Sequence, residues 1–74
     1  MPVLQRFAGY VIRMYFRDHN PPHVHVVGTE FEAFVSIDDV SVLRGSIPAK
    51  HEAEALSWIG ANREALLAKW DELQ

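Results

Sequence analysis

The residues with the clearest chemical capacity lie in segment 18–25 (DHNPPHVH), which holds three of the four histidines of this chain. His23 and His25 are two residues apart, so on a strand they leave the same face with their roots about 6–7 Å apart. Imidazole nitrogens and carboxylate oxygens are ligands that zinc prefers. The segment therefore predicts a site for a divalent metal such as zinc, formed by His19, His23 and His25, with Asp18 as the alternative to His19.

The same segment is compatible with two interpretations that need no metal. Aspartate and asparagine favour side-chain-to-backbone turns, while Pro21 and Pro22 restrict the backbone, so the segment is also typical of a rigid turn. In that turn the histidines cap backbone groups or hydrogen-bond Glu32 or Tyr15 across the sheet. Alternatively, the histidines serve metal-free ligand binding or acid–base chemistry. The residues alone leave these three interpretations open.

A second candidate surface combines basic and aromatic side chains on one sheet face. Its members are Arg13, Tyr15, Arg17 and Arg44. Arginine and aromatic side chains on a sheet can stack nucleic acid bases, which makes nucleic acid a candidate partner. The alternative is that these arginines are solvated or paired with nearby acidic side chains. A net charge of −3 gives the chain no general attraction for nucleic acid.

Four segments have the alternation or the β-branched and aromatic composition that is typical of strands. They are residues 10–16, 23–27, 31–38 and 40–45. Tyr10, Ile12, Met14 and Phe16 form the predicted core face of the first segment. Phe34 is an apolar exception on the polar face of the third. The segments follow one another with short turns, which predicts a small antiparallel sheet of three to four strands.

Helical spacing begins after the last of these strands. Pro48 suits the first turn of a helix, with Ser46 as the predicted N-cap. Apolar residues then recur on one helical face at Leu56, Ile59, Leu66, Leu67 and Trp70. Gly60 and Asn62 interrupt the pattern, which predicts helices over 49–60 and 63–72, or one kinked helix. We expect these helices to pack on one face of the sheet. The sequence therefore predicts an α+β domain.

Length and composition limit the classes of protein to which this chain can belong. Its 74 residues form a single domain, and 49% hydrophobic residues argue against disorder. The absence of cysteine excludes disulfides and fits a reducing compartment. No apolar run approaches the length of a membrane span, and the first residues lack the apolar core of a signal peptide. We therefore expect a cytoplasmic protein without a membrane partner.

The assembled motifs resemble the DUF4160 family of small, mostly bacterial proteins. The matching pieces are residues 9–12 (GYVI), 14–16 (MYF), 18–26 (DHNPPHVHV), 45–48 (GSIP), 58–59 (WI) and 62–70 (NREALLAKW). The resemblance implies one DUF4160-like domain over residues 1–74. The family has no assigned function. The resemblance implies a protein partner similar to DUF2442 proteins, in an arrangement similar to a toxin–antitoxin pair.

Two classes of function follow as expectations. The first is a protein-interaction or regulatory module that acts with a DUF2442-like partner or as a homo-oligomer. The alternative is a metal- or histidine-dependent hydrolase that uses segment 18–25, with RNA as a candidate substrate. In either case the expected functional surface lies on the open sheet face and consists of Arg13, Tyr15, Asp18, His19, Pro21, Pro22, His23 and His25.

Overall fold

The computed structural model describes residues 3–74, which form one sheet followed by two helices. The strands are β1 (Val3–Phe7), β2 (Tyr10–Arg13), β3 (His23–Gly28), β4 (Glu32–Ser36) and β5 (Val42–Gly45). The helices are α1 (Ala49–Ala61) and α2 (Arg63–Leu73). Every strand pairs antiparallel with the next in the order β1-β2-β3-β4-β5. The predicted α+β architecture is confirmed, including the antiparallel sheet and the C-terminal helices.

The sheet has five strands rather than the predicted three to four, because β1 was not anticipated from the sequence. β1 is an edge strand that pairs only with β2, and its register shifts between Val3 and Gln5. Gln5 and Arg6 are exposed. An irregular edge strand with polar side chains lacks the clean alternation that identifies a half-buried strand.

The hydrophobic core lies between one face of the sheet and the two helices. Ile12, Val26 and Ala33 stand opposite one another on β2, β3 and β4, and all three are fully buried. The helices contribute Ala55, Ile59, Leu66 and Trp70 to the same cluster. The hydrophobic core of the domain therefore forms on this face of the sheet, and polar side chains can occupy the opposite face.

The two predicted helices are present and are separated at Asn62. Asn62 does not cap α2 with its side chain; its amide instead donates to the carbonyl of Trp58 at 2.9 Å, one turn back in α1. At the start of α1 the N-cap position is Pro48 rather than the predicted Ser46. No helix within residues 3–74 is long and apolar enough to cross a membrane.

β2 ends at Arg13, three residues earlier than predicted, and residues 14–22 form a connecting loop to β3. Phe16 is 57% exposed instead of facing the core, because the chain turns at Arg17, whose φ is +52°. The backbone N–H of Arg17 donates to the carbonyl of Leu73 at 3.2 Å, which ties the loop to α2. The Asn20–Pro21 peptide bond is cis. The turn at Arg17 and its hydrogen bond to Leu73 bring the connecting loop back over the start of β3.

Candidate metal centre

His23 and His25 lie on the face of β3 that does not carry the core, as their spacing predicted. Their neighbours in register on that face are Ser36 for His23, and Arg13 and Phe34 for His25. The two histidines are not part of an open surface, however. Only 3% of His23 and 5% of His25 is exposed.

Aromatic side chains account for the burial of His25. The ring of Tyr15, which follows β2, stacks on His25 with a centroid distance of 4.1 Å and an interplanar angle of 2°. Phe34 on β4 contacts the same ring at a centroid distance of 4.4 Å. Phe34 is the apolar exception noted on the polar face of its strand, and it fills the space beside His25. The imidazole is thereby held in one plane while its edges stay free for polar contacts.

His23 is enclosed by aromatic rings from two different elements. The centroid of its ring lies 5.5 Å from that of Phe34 and 5.3 Å from that of Trp70 on α2. Its Nδ1 lies 2.8 Å from the carbonyl oxygen of Pro21. A carbonyl oxygen only accepts, so Nδ1 carries the proton and donates. In the neutral ring, Nε2 then keeps its lone pair.

Asp18 of the connecting loop is the point where the two histidines converge. Its Oδ2 lies 3.1 Å from Nε2 of His23 and 3.1 Å from Nε2 of His25. Its Oδ1 accepts a hydrogen bond from the backbone N–H of His19 at 2.9 Å. Burial acts to raise the pKa of Asp18, but the hydrogen bonds from His25 and His19 and the two nearby imidazoles outweigh it and lower the pKa. Asp18 is therefore an anion at neutral pH.

The contact between His23 and Asp18 leaves an electrostatic conflict. Nε2 of His23 is buried and has no hydrogen-bond partner in the part of the chain that the structure describes. It faces Asp18 Oδ2 outside hydrogen-bond geometry, and in the neutral ring both atoms present lone pairs. A buried polar atom without a partner is costly. A second proton on the ring, or a metal ion between the two atoms, removes the conflict.

His25 has carboxylates at both ends of its ring. Nε2 contacts Asp18 Oδ2, while Nδ1 lies 3.1 Å from Oε2 of Glu32 on β4. The predicted hydrogen bond between a histidine and Glu32 is thus present. A neutral ring has one proton for two carboxylates: it donates either from Nε2 to Asp18 or, when Nε2 binds a metal ion, from Nδ1 to Glu32. In the second case both histidines have the same arrangement, with Nδ1 donating outward and Nε2 directed at one carboxylate oxygen.

One oxygen of Asp18 and one nitrogen each of His23 and His25 lie within 4.8 Å of one another. His19, which the sequence predicted in the same set, lies beside it. Its ring is 83% exposed and its Nδ1 is 3.3 Å from the other oxygen of Asp18. The structure thus brings together the two strand histidines and the alternative loop ligand, Asp18.

The other predicted residues occupy distinct positions around this cluster. Pro21 supplies the carbonyl that orients His23, and Pro22 accepts at its carbonyl from the backbone N–H of Ile37 at 3.1 Å, fixing the loop to the end of β4. Arg13 is the neighbour of His25 in register on β2. Sequence reasoning did not anticipate Trp70 beside His23, since nothing in the helical spacing indicates which strand end a buried tryptophan contacts.

Comparisons with known proteins place the chain in a family but bring no functional assignment. The family model of a domain of unknown function, DUF4160, matches residues 9–71. That range covers β2 to α2, including the whole of the Asp18, His23 and His25 cluster. No curated protein matches the chain, and no solved structure matches it.

Proposed function

We propose that this chain, which belongs to the DUF4160 family of domains of unknown function, binds a divalent transition metal ion, zinc before others. The ligands are Oδ2 of Asp18 and the Nε2 atoms of His23 and His25. Two imidazoles with one carboxylate suit zinc and the other late first-row metals better than magnesium or calcium, which take oxygen ligands.

The observation that carries the proposal is the unpartnered Nε2 of His23, buried against a carboxylate oxygen. Because Nδ1 of His23 already donates to Pro21 O, its Nε2 meets Asp18 Oδ2 favourably only when it carries a second proton or binds a metal ion. Metal-ligating histidines donate their second ring nitrogen to a carbonyl or carboxylate, which fixes tautomer and ring orientation. Pro21 O does this for His23, and Glu32 does it for His25. The hydrogen bonds of the two Nδ1 atoms therefore match those of histidines in a metal centre.

The distances are close to those of a coordination shell. Ligand atoms at about 2.1 Å from a zinc ion stand about 3.0–3.4 Å apart at right or tetrahedral angles. Both Asp18–histidine separations are 3.1 Å. The widest separation in the set is within 4.8 Å, so binding has to draw ligand atoms together by at most roughly 1.4 Å for tetrahedral angles and roughly 1.8 Å for right angles. Three protein ligands leave a position for water or for an exogenous ligand.

The test is calorimetric titration of metal-free protein with zinc chloride, with elemental analysis of the loaded protein. We expect one ion per chain. Loss of a ligand weakens metal binding more than the ten- to hundredfold typical of the residues that orient ligands, so Asp18→Asn and His23→Gln should each lower the affinity by at least about a hundredfold. Asp18 lies on a loop, so Asp18→Asn tests the site even if His23→Gln fails to fold.

Matched controls separate this site from adventitious binding by histidine. His51→Gln changes a histidine of α1 outside the cluster, and His19→Gln changes the exposed neighbour of Asp18. Both should bind zinc as the unsubstituted protein does. Absence of zinc binding by folded protein, or equal affinities for the Asp18→Asn and His51→Gln variants, contradicts the proposal. Roles in a toxin–antitoxin-like pair, in RNA hydrolysis or in the cytoplasm stay predictions.

A further inference from the structure

The sheet face that carries the metal centre also presents a row of side chains across four strands. Arg13 on β2 stands opposite His25 on β3, His25 opposite Phe34 on β4, and Phe34 opposite Arg44 on β5. Residues directly opposite on antiparallel strands have Cβ atoms about 5 Å apart on the same face. Arg13 is therefore an immediate neighbour of the metal ligand His25, whereas Arg44 lies two strands away from it.

Arg13 has unused hydrogen-bonding capacity beside this site. Its Nε is buried and has no hydrogen-bond partner among residues 3–74. No carboxylate of these residues lies within 4.0 Å of its guanidinium nitrogens, while Arg63 and Lys69 do have acidic partners. A guanidinium binds oxyanions through parallel N–H donors, and a partly buried one does so with less competition from water.

The local charge depends on the metal. Without an ion, the two guanidinium groups of this row are balanced by the carboxylates of Asp18 and Glu32. A bound dication adds two positive charges next to Arg13 on a protein whose net charge is −3. The surface then attracts anions at this one place. The ion also offers an open coordination position that an anionic oxygen can fill.

We infer that the metal-loaded protein binds a phosphate group, with one oxygen on the ion and others on the guanidinium of Arg13. This inference rests on the proposed metal site. A phosphate group has enough oxygens to ligate the ion and to accept from the arginine fork together, whereas a carboxylate has two oxygens for both tasks. The shared chemistry is the phosphoryl oxygen, whether in free phosphate or in a nucleic acid backbone.

The experiment uses cobalt(II)-loaded protein, whose visible absorption reports ligands that enter the coordination shell. Inorganic phosphate is one probe and the dinucleotide UpU is the other. We expect saturable spectral changes with at least one probe, and the comparison identifies a free phosphate or a phosphodiester as the preferred source. Arg13→Ala should weaken that binding by at least about tenfold, as expected for a lost charge-assisted hydrogen bond, without lowering cobalt affinity.

Two further variants make the result specific. Arg44→Ala removes the same charge from the same face at a distance, and it should weaken phosphate binding much less than Arg13→Ala does. Arg13→Lys keeps the charge but loses the fork, so it should restore only part of the affinity. The inference is overturned if cobalt-loaded protein binds neither probe, if binding needs no metal, or if Arg13→Ala and Arg44→Ala act equally. Failure to bind cobalt at all overturns the metal site and this inference together.

Discussion

Glu32 fixes the ring of His25 through a contact that also sets how strongly this histidine can bind a metal. Its Oε2 lies 3.1 Å from Nδ1 on the ring edge opposite Asp18. Nearly half of the Glu32 side chain is exposed, so this carboxylate adds little to the hydrophobic core. A carboxylate behind a ligating histidine increases the basicity of the ring and holds its orientation. Its effect should therefore appear in metal affinity and hardly in stability.

Glu32→Gln is expected to lower zinc affinity about tenfold, because the amide keeps the shape but loses the charge. The free energy of unfolding of the metal-free protein should change by less than about 1 kcal/mol, as is usual for an exposed ionic contact. Calorimetry and urea denaturation measure the two quantities. Glu30→Gln, which changes an exposed glutamate in the turn between β3 and β4, serves as the control and should change neither. Unchanged zinc affinity in the Glu32→Gln variant contradicts this role.

Two glycines should respond in opposite ways to the same substitution. A Cβ at Gly28 would meet the ring of Phe31 at 2.1 Å, whereas a Cβ at Gly60 finds only Val40, at 3.9 Å. Gly28→Ala forces the aromatic ring away and should cost about 1–3 kcal/mol of unfolding free energy. Gly60→Ala, inside α1, should add about 0.5–1 kcal/mol because alanine favours the helix. Urea denaturation of both variants checks the pair, and equal signs would contradict this explanation.

At the scale of the elements, a hydrogen bond connects the sheet to the first helix. The hydroxyl of Tyr10 on β2 donates to Oε1 of Glu54 on α1 at 2.8 Å. Burial of this hydroxyl and its contact with the Glu54 carboxylate both raise the pKa of Tyr10. The phenol therefore stays protonated and keeps donating to Glu54 over the whole pH range in which the protein is handled.

Tyr10→Phe is expected to lower the free energy of unfolding by about 1 kcal/mol, the net worth of a hydrogen bond of this kind. A double-mutant cycle with Glu54→Gln should show that the two effects are coupled, because both changes weaken the same bond. The same cycle with Glu52→Gln, on the exposed first turn of α1, should be additive. Additivity of Tyr10 with Glu54 would mean that the bond contributes nothing in solution.

The sequence predicts those strands and helices whose buried residues recur at a regular spacing. Alternation identified the strand that buries Val35, and helical spacing placed Ile59 and Leu66 on the core face. The edge strand β1 was missed because exposed Gln5 and Arg6 interrupt its pattern. Edge strands are held by backbone hydrogen bonds on one side only, and such bonds do not require apolar residues at alternating positions.

The candidate site could be predicted only in part. A two-residue spacing was enough to place His23 and His25 on one face, since strand geometry fixes it. The choice of Asp18 over His19 depends on how the connecting loop turns at Arg17, whose positive φ no local pattern indicates. The burial of the histidines depends on rings from three separate elements, which is a property of the tertiary structure.

For the molecule as a whole, the proposed metal centre lies where an ion would add most to the stability of a small domain. A chain of 74 residues buries a modest core, and without cysteine it has no disulfides. The proposed ligands come from β3 and from the connecting loop 14–22, which is also tied to the end of α2 through Leu73. An ion at this position would join the sheet, the loop and the second helix.

Zinc should therefore raise the thermal stability of the intact protein. At a free zinc concentration about a hundredfold above the dissociation constant, binding to the folded state alone adds about 2.7 kcal/mol. For a domain of this size that corresponds to a rise in Tm of roughly 10–20 °C, measured by circular dichroism with and without a chelator. In the Asp18→Asn variant the rise should be no more than about 3 °C, because a site weakened at least about a hundredfold is at most half occupied at this zinc concentration. An equal zinc-dependent rise in that variant would mean that the ion stabilises the protein at a different place.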